Sequence, residues 1–324
     1  MRILVTGGAG YIGAVVADRL LLRGHEVSVV DNLSKGHRQN VPQAAEFILA
    51  DTGDEATLDR VFREGRFDAV MHFAAFIEAG ESMRWPEIYF HNNSAKSLTL
   101  LRVMLKHQVQ RFVFSSTAAV YGEPRSLPIT EGHSLHPTNP YGESKYLVER
   151  MLAWFHSIHG LRYASLRYFN AAGALDNRGE SHDPETHLIP LVCQAALEAR
   201  PIFLYGTDYP TKDGTCIRDY IHVADLAAAH VFALEALAQE PEIICNLGSG
   251  NGFSVREIIE VVRNISGRKI SAVEAPRRAG DAAVLIASSE KARRVLAWEA
   301  QHSDIETIVG SAWNWHRRIV AAKP

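Results

Sequence analysis

The 324-residue sequence is poor in cysteine: Cys193, Cys216 and Cys245 are odd in number and lie far apart. They supply no disulfide framework, and a reduced, cytoplasmic compartment is the simplest reading. Charge of one sign is also missing. With a net charge of −3 and a pI near 6.6, no basic field exists to attract nucleic acid or anionic lipid. A few local arginines could still hold a small anionic ligand. No apolar run reaches the roughly 18 residues of a membrane span. Met1 and Arg2 run straight into Ile3, Leu4 and Val5, which leaves no room for a signal peptide's charged and apolar regions. Fixed-period repeats and low-complexity stretches are absent too. What remains is 47% hydrophobic and 22% charged, a globular composition long enough for a principal domain and a smaller lobe.

The first half alternates short apolar runs with amphipathic stretches, the pattern of repeated βαβ units and a parallel sheet covered on both faces. Strands are expected over residues 2–6, 26–30, 46–49, 68–73, 111–115 and 163–166, and helices over 11–23, 55–64, 86–107 and 140–159. After about residue 170 the alternation loosens into loops rich in Gly, Pro and Asp, such as 206–214, which predicts a second lobe with long connections.

The first strand feeds Gly7, Gly8, Ala9, Gly10, Tyr11, Ile12 and Gly13, and then a helix. This context turns a glycine pattern into a phosphate site: the turn can be tight, the backbone can approach a pyrophosphate, and the helix N-terminus offers free N–H groups. Phosphate is expected at residues 10–12. A strand-to-helix turn with no ligand would look similar, but Asp31 argues against it. It ends the second strand about 20 residues past the glycines, where a carboxylate accepts from adenosine ribose hydroxyls and repels a 2′-phosphate. NAD is favoured over NADP.

Tyr141 and Lys145 are four apart in a segment that opens Asn139-Pro140, a helix start with both side chains on one face. A phenol near pKa 10 becomes a base at neutral pH only with about 4 kcal/mol of preferential phenolate stabilisation. Lys145, an oxidised nicotinamide ring and the helix N-terminus could share that work. Alone, the pair is what chance surface packing also produces. It has company in Ser115, Ser116 and Thr117, hydroxyls at the end of a strand, where ligands of open parallel sheets bind.

Together these features resemble the extended short-chain dehydrogenase/reductase family, and within it the UDP-glucose 4-epimerases. The resemblance rests on TGGAGYIG from Thr6, Asp31-Asn32, HFAA from His72, Asn92-Asn93, FSSTAAVYG from Phe114, YGESK from Tyr141, RYFNAAG from Arg167, GTCIRDYIHVADLA from Gly214 and NLGSGNGFSV from Asn246. It implies an α/β fold: a Rossmann-type doubly wound parallel sheet with a smaller C-terminal substrate lobe. Residues 1–170 would bind NAD, with later segments around 215–245 returning to that domain, and 171–324 would mainly bind the nucleotide sugar. Tyr141 is then the acid/base, Lys145 the residue that binds the nicotinamide ribose and lowers the tyrosine pKa, and Thr117 the hydroxyl partner in place of a more usual serine. Around the cofactor the resemblance places Gly7, Gly10, Tyr11, Ile12, Gly13, Asp31 and Asn32, with Asp51 at adenine. Phe73, Ala74, Ala75, Asn92, Ser115 and Phe169 complete that set. For the UDP-sugar it implies Asn170, His187, Leu188, Phe203, Tyr205, Arg218, Arg278, Asp281 and Leu285, and it implies no metal.

Four positions depart from the family pattern. Ile77 stands where some members carry a lysine beside the cofactor phosphates, His187 replaces an asparagine, Tyr205 a phenylalanine, and Leu285 occupies the position that gates sugar size. The implied reaction moves the C4 hydride to NAD and the 4-hydroxyl proton to Tyr141, turns the 4-keto sugar, and returns hydride to its other face. Three other readings stay open: an epimerase of N-acetylhexosamines or pentoses, a 4,6-dehydratase and a non-catalytic NAD sensor. The dehydratase would need an added acid/base pair where this chain has Ala118 and Ala119. The sensor would need no Tyr141, Lys145 and Thr117 together. Apolar residues around segments 94–107 and 143–159 further predict a homodimer through these two helices.

Overall fold

The computed structural model describes residues 1–278 and 280–321. Its centre is a parallel sheet of β1 Arg2–Thr6, β2 Glu26–Asp31, β3 Glu46–Leu49, β4 Ala69–His72, β5 Arg111–Thr117, β6 Arg162–Tyr168 and β7 Glu242–Leu247. The strand order is β7-β6-β5-β4-β1-β2-β3. The chain winds outward from β1 to β3, returns to β4 beside β1, and winds outward again. The reversal leaves a crevice at the C-terminal ends of β1 and β4, where open α/β sheets bind ligands.

Helices α1 Tyr11–Leu22, α2 Glu55–Gly65, α3 Lys96–Lys106, α4 Pro140–His159 and α6 Val223–Ala236 cover the sheet's two faces, while α5 Leu188–Glu198, α7 Val255–Ser266 and α8 Ile305–Ala321 lie in the rest of the chain. On one face Val15, Val16 and Leu20 of α1 meet Leu226 and Val231 of α6 over the sheet. On the other, Leu58, Leu100, Met104, Val148 and Leu152 pack with Phe112 and Tyr163. Each such side chain stabilises by roughly 1.5–3 kcal/mol when fully buried. This two-sided covering is why the strands read as apolar runs rather than as alternating patterns.

The sequence-based elements of the first half are all present, with three differences. The helix expected over 86–107 is broken by a π-helical stretch, Phe90–Ala95, a local widening that inserts a residue into the helical ladder and is frequent at functional sites. Strand β5 continues to Thr117, so its three hydroxyls alternate faces, with Ser116 opposite Ser115 and Thr117. Strand β7, delivered late in the chain after α6, was not among the expected strands; it pairs with β6 along its whole length.

The rest of the chain folds around strand Ile217–His222. Its first residues pair with Gly252–Ser254 and Val284–Leu285, and its last with Asn170–Ala172. A second small sheet joins Ile202–Tyr205 to Ala272–Ala275. Helices α5, α7 and α8 build a separate core here from Ile189, Val192, Ile258, Val262 and Ile308. A reciprocal capping box of Ser254 and Glu257 starts α7. Among the described residues no helix is long and apolar enough to cross a membrane.

Candidate active site

The glycine turn is held from two sides. Gly7 has φ +73°, and a Cβ there would lie 2.4 Å from the Ala74 nitrogen, so β1 and the segment after β4 touch backbone to backbone. A Cβ on Gly13 would lie 2.3 Å from the Gly7 carbonyl oxygen, which explains the third glycine. Gly10 is freer, its nearest neighbour being the Gly7 oxygen at 3.3 Å, and it caps α1 with no side chain occupying the helix N-terminus. The first-turn N–H groups of Tyr11 and Ile12 therefore face the crevice uncapped, a fit for a diphosphate.

Asp31 lies buried at the end of β2, and its two oxygens accept from the Ala9 N–H at 3.0 Å and the Leu33 N–H at 2.8 Å. Burial raises its pKa and these two bonds pull against the rise. Each oxygen keeps lone-pair capacity for a ribose hydroxyl. Next to it, Asn32 and Lys96 both donate to Asp51 Oδ2, at 2.8 and 2.7 Å, and Gly53 N–H donates to Oδ1. These bonds outweigh burial and hold Asp51 below the ordinary carboxylate range. Asn32, Phe76, Ile88, Asn92 and Lys96 line a recess of about 290 Å³ beyond this cluster. These features are those an NAD dinucleotide needs: a backbone cradle, a strand-end carboxylate and a recess past it.

At the end of β5 the Lys145 ammonium donates to the Ser115 carbonyl at 2.8 Å and sits 4.9 Å from the Phe114 ring centroid. Burial without a paired anion lowers its pKa to about 7. Tyr141, one turn earlier on α4, is pushed up to about 12 by burial, with the Thr117 hydroxyl working against the shift and the Glu78 charge adding to it. The protein alone thus keeps the phenol protonated; the positive nicotinamide ring is the remaining member of the three charges expected to act on it. Asn139 caps α4 by accepting from Gly142 N–H, and Tyr141 N–H donates to Ser82.

Residues to which the sequence patterns assign no role hold this helix in place. Asn93 grips the loop after β4 by accepting from Phe76 N–H and donating to the Phe76 carbonyl, and it also donates to Ser144. Glu149, two turns past Tyr141, accepts from Ser116 at 2.5 Å and pairs with Arg167 of β6, both ions almost fully buried. Arg167 donates on to Tyr121, which donates to Asn246 of β7. His72 bridges Thr6 and Ser97, and burial together with the Lys145 charge lowers its pKa to about 3, so it is neutral. The Ser115 hydroxyl is taken by Tyr168.

Phe169, Leu285 and Ala118 share one apolar cluster, which sets Leu285 against the Thr117 end of β5. Leu285 pairs in register with Arg218, whose guanidinium is bound by Asp281; Asn170 donates to the Asp219 carbonyl at 3.3 Å. Asp219, also unforeseen, accepts from Ser249, Gly250 and Ala287 N–H and so ties three segments of this wall together. Phe203 and Tyr205 stand apart on the small second sheet, partly exposed, with Arg278 4.2 Å over the Tyr205 ring. His187 precedes Leu188 at the start of α5 and turns its Nδ1 to Glu180 and Glu185. Beside Ile77, Glu78 pairs with Lys35 at 3.2 Å, which puts a cation near the position where the family lysine is missing. Phe73, next to Ala74 and Ala75, packs on His230 at 4.8 Å. Asn92 lies in the π-helical stretch and donates to Asn93.

Comparison with known proteins adds three findings. The model of the NAD dependent epimerase/dehydratase family matches residues 3–248. A curated UDP-glucose 4-epimerase of Halalkalibacterium halodurans is 51% identical over 98% of this chain and 96% of its own length. Among solved structures, a UDP-glucose 4-epimerase superposes with a TM-score of 0.96 at 48% identity over 100% of both chains. Another, from Bifidobacterium longum in complex with NAD+ and UDP, gives 0.94 at 39% identity over 98% of each.

Proposed function

The chain belongs to the NAD dependent epimerase/dehydratase family, and from that premise we infer that it inverts C4 of a UDP-hexose, interconverting UDP-glucose and UDP-galactose. The observation that carries this reading is that Lys145 donates to the Ser115 carbonyl and Tyr141 lies against the Thr117 hydroxyl, both at the C-terminal end of β5. Bound NAD supplies a hydride acceptor that returns what it takes, so the reaction has no net redox change. Tyr141 Oη takes the 4-hydroxyl proton and later gives it back, with Thr117 sharing the sugar oxygen. Lys145 holds its charge close to the phenolate as it forms. Inversion requires the 4-keto sugar to turn while its nucleotide stays fixed. Arg218 and Arg278 suit the anchor, since guanidinium binds phosphate bidentately. The apolar Leu285–Phe169–Ala118 wall makes few directional contacts and suits the turning part. A 4,6-dehydratase needs a further acid/base pair after Thr117, and Ala118 and Ala119 supply none.

Residues 1–170, with segments around 215–245 returning to them, form the cofactor lobe in this reading, and 171–324 mainly the nucleotide-sugar lobe. A homodimer through α3 and α4 would cover Leu98, Trp154 and Ile158, which are exposed on those helices. Light scattering at micromolar concentration should then give twice the chain mass. Three free, buried cysteines accord with a cytoplasmic location. The deciding experiment is turnover of UDP-galactose by the purified protein, repeated with N-acetylated and pentose analogues. Absence of UDP-glucose formation would sink the reading.

A further inference from the structure

Glu180, His182, Glu185 and His187 lie in the segment between strand Asn170–Ala172 and α5; His187 is also among the residues implied at the UDP-sugar, and the other three have no assigned role. One ligand-capable atom from each falls within 4.8 Å of all the others. Both imidazoles present Nδ1 to the centre. Glu180 Oε1 is 2.6 Å from His187 and 3.1 Å from His182, and Glu185 Oε1 is 3.3 and 3.9 Å from the same two atoms. A tetrahedral ion with bonds of about 2.0–2.1 Å has ligand atoms about 3.3 Å apart, a spacing these four distances bracket. The side chains of Glu180 and Glu185 are 5% and 4% exposed. Glu185 Oε2 and both Nδ1 atoms are buried without a well-directed hydrogen bond.

We propose that this cluster is a divalent metal site of zinc type, with a two-histidine, two-glutamate ligand set. A 2+ ion balances the two carboxylates as two imidazolium protons would, so binding exchanges protons for metal at constant local charge. The ion is structural: all four ligands come from the protein, and Tyr141 and Lys145 lie elsewhere. Its place gives it a job. Tyr11 of the glycine turn donates to the Gly173 carbonyl at 2.6 Å, Trp315 of α8 donates to the Glu180 carbonyl at 2.9 Å, and His37 Nε2 is 3.1 Å from the Ser181 carbonyl. A metal here fixes the loop that joins the cofactor turn, α8 and the start of α5.

The test uses full-length protein and Zn²⁺, read by metal content after desalting and by melting temperature, neither of which depends on turnover. Wild type should retain one equivalent of zinc and melt higher with it, and Co²⁺ in its place should give the visible absorption of a tetrahedral site. His182→Asn and Glu185→Gln should each lose the equivalent and the melting shift, while His302→Asn, a surface histidine outside the cluster, keeps both. Circular dichroism checks that the variants are folded. Sub-stoichiometric zinc in wild type, or zinc retained by both folded cluster variants, means the cluster holds protons only and overturns the proposal.

Discussion

Around the end of β5 the polar side chains already have partners inside the protein: Lys145 on the Ser115 carbonyl, Ser115 on Tyr168, Ser116 on Glu149, Asn93 on Phe76 and Ser144. Across the cleft, Phe203 and Tyr205 are partly exposed, Arg218 and Asp281 are spent on each other, and Arg278 lies over an aromatic ring. One wall is preorganised and the other awaits a ligand. The chemistry needs atoms held within a fraction of an ångström, whereas nucleotide binding can be assembled from groups that exchange one partner for another.

Breaking the preorganised wall should cost most. Tyr141→Phe keeps the ring and removes the oxygen, so kcat should fall by about 10²–10⁴ with NAD and UDP binding retained. A variant within about tenfold of wild type, a barrier change near 1.4 kcal/mol, would remove Tyr141 from its role.

The next effect is on stability. Glu149→Gln leaves Arg167 buried with half its partner and should cost about 3 kcal/mol in urea unfolding, whereas replacing both Glu149 and Arg167 by Met should cost less. Equal losses would mean the pair is not the coupled unit described here.

A pH experiment follows from Lys145. Its pKa falls from an ordinary 10.5 to about 7 on folding, so between those values the folded protein binds fewer protons than the unfolded chain. Stability should rise with pH across that window and level off below pH 7, where both states carry the proton. In protein stripped of cofactor, the unfolding free energy of wild type relative to Lys145→Met should grow by about 2 kcal/mol from pH 7 to 9. A flat difference would show that the ammonium is not desolvated.

The pliant wall should give the smallest and most selective effect. Leucine at 285 fills less space than a tyrosine ring, so slow reaction of UDP-N-acetylglucosamine is expected beside fast UDP-glucose and UDP-galactose. Leu285→Tyr should remove the slow reaction and spare the fast one, a discrimination of about 1–3 kcal/mol. An unchanged ratio of kcat/KM values would displace Leu285 from the sugar.

The sequence made the preorganised wall easier to read. Glycine turn, Asp31, Tyr141 and Lys145 are local patterns, each within one strand-turn-helix unit, and β1, β3 and α4 have the expected ends. What stayed hidden is long-range or runs against type. Glu149 and Arg167 are charged residues that burial statistics assign to the surface, and Asp219 gains its meaning only when Ser249 and Ala287 arrive from later in the chain. Strand β7 was obscure because its partner β6 lies about 75 residues upstream, with strands Asn170–Ala172, Ile202–Tyr205 and Ile217–His222 and helices α5 and α6 among the elements between them. The π-helical stretch has no signature in apolar periodicity.

The double attachment of Asp31 bears on cofactor engineering. Its oxygens accept from Ala9 in the glycine turn and Leu33 in the next loop, so the carboxylate proposed to select against a 2′-phosphate also braces the glycine turn. A designer seeking an NADP-dependent variant by Asp31→Ala would remove the repulsion and the brace in one step, and would see weak binding of both dinucleotides. Asp31→Asn drops the charge yet leaves an amide oxygen for one of the two N–H donors. That makes it the better starting point, with an arginine introduced nearby as the second change.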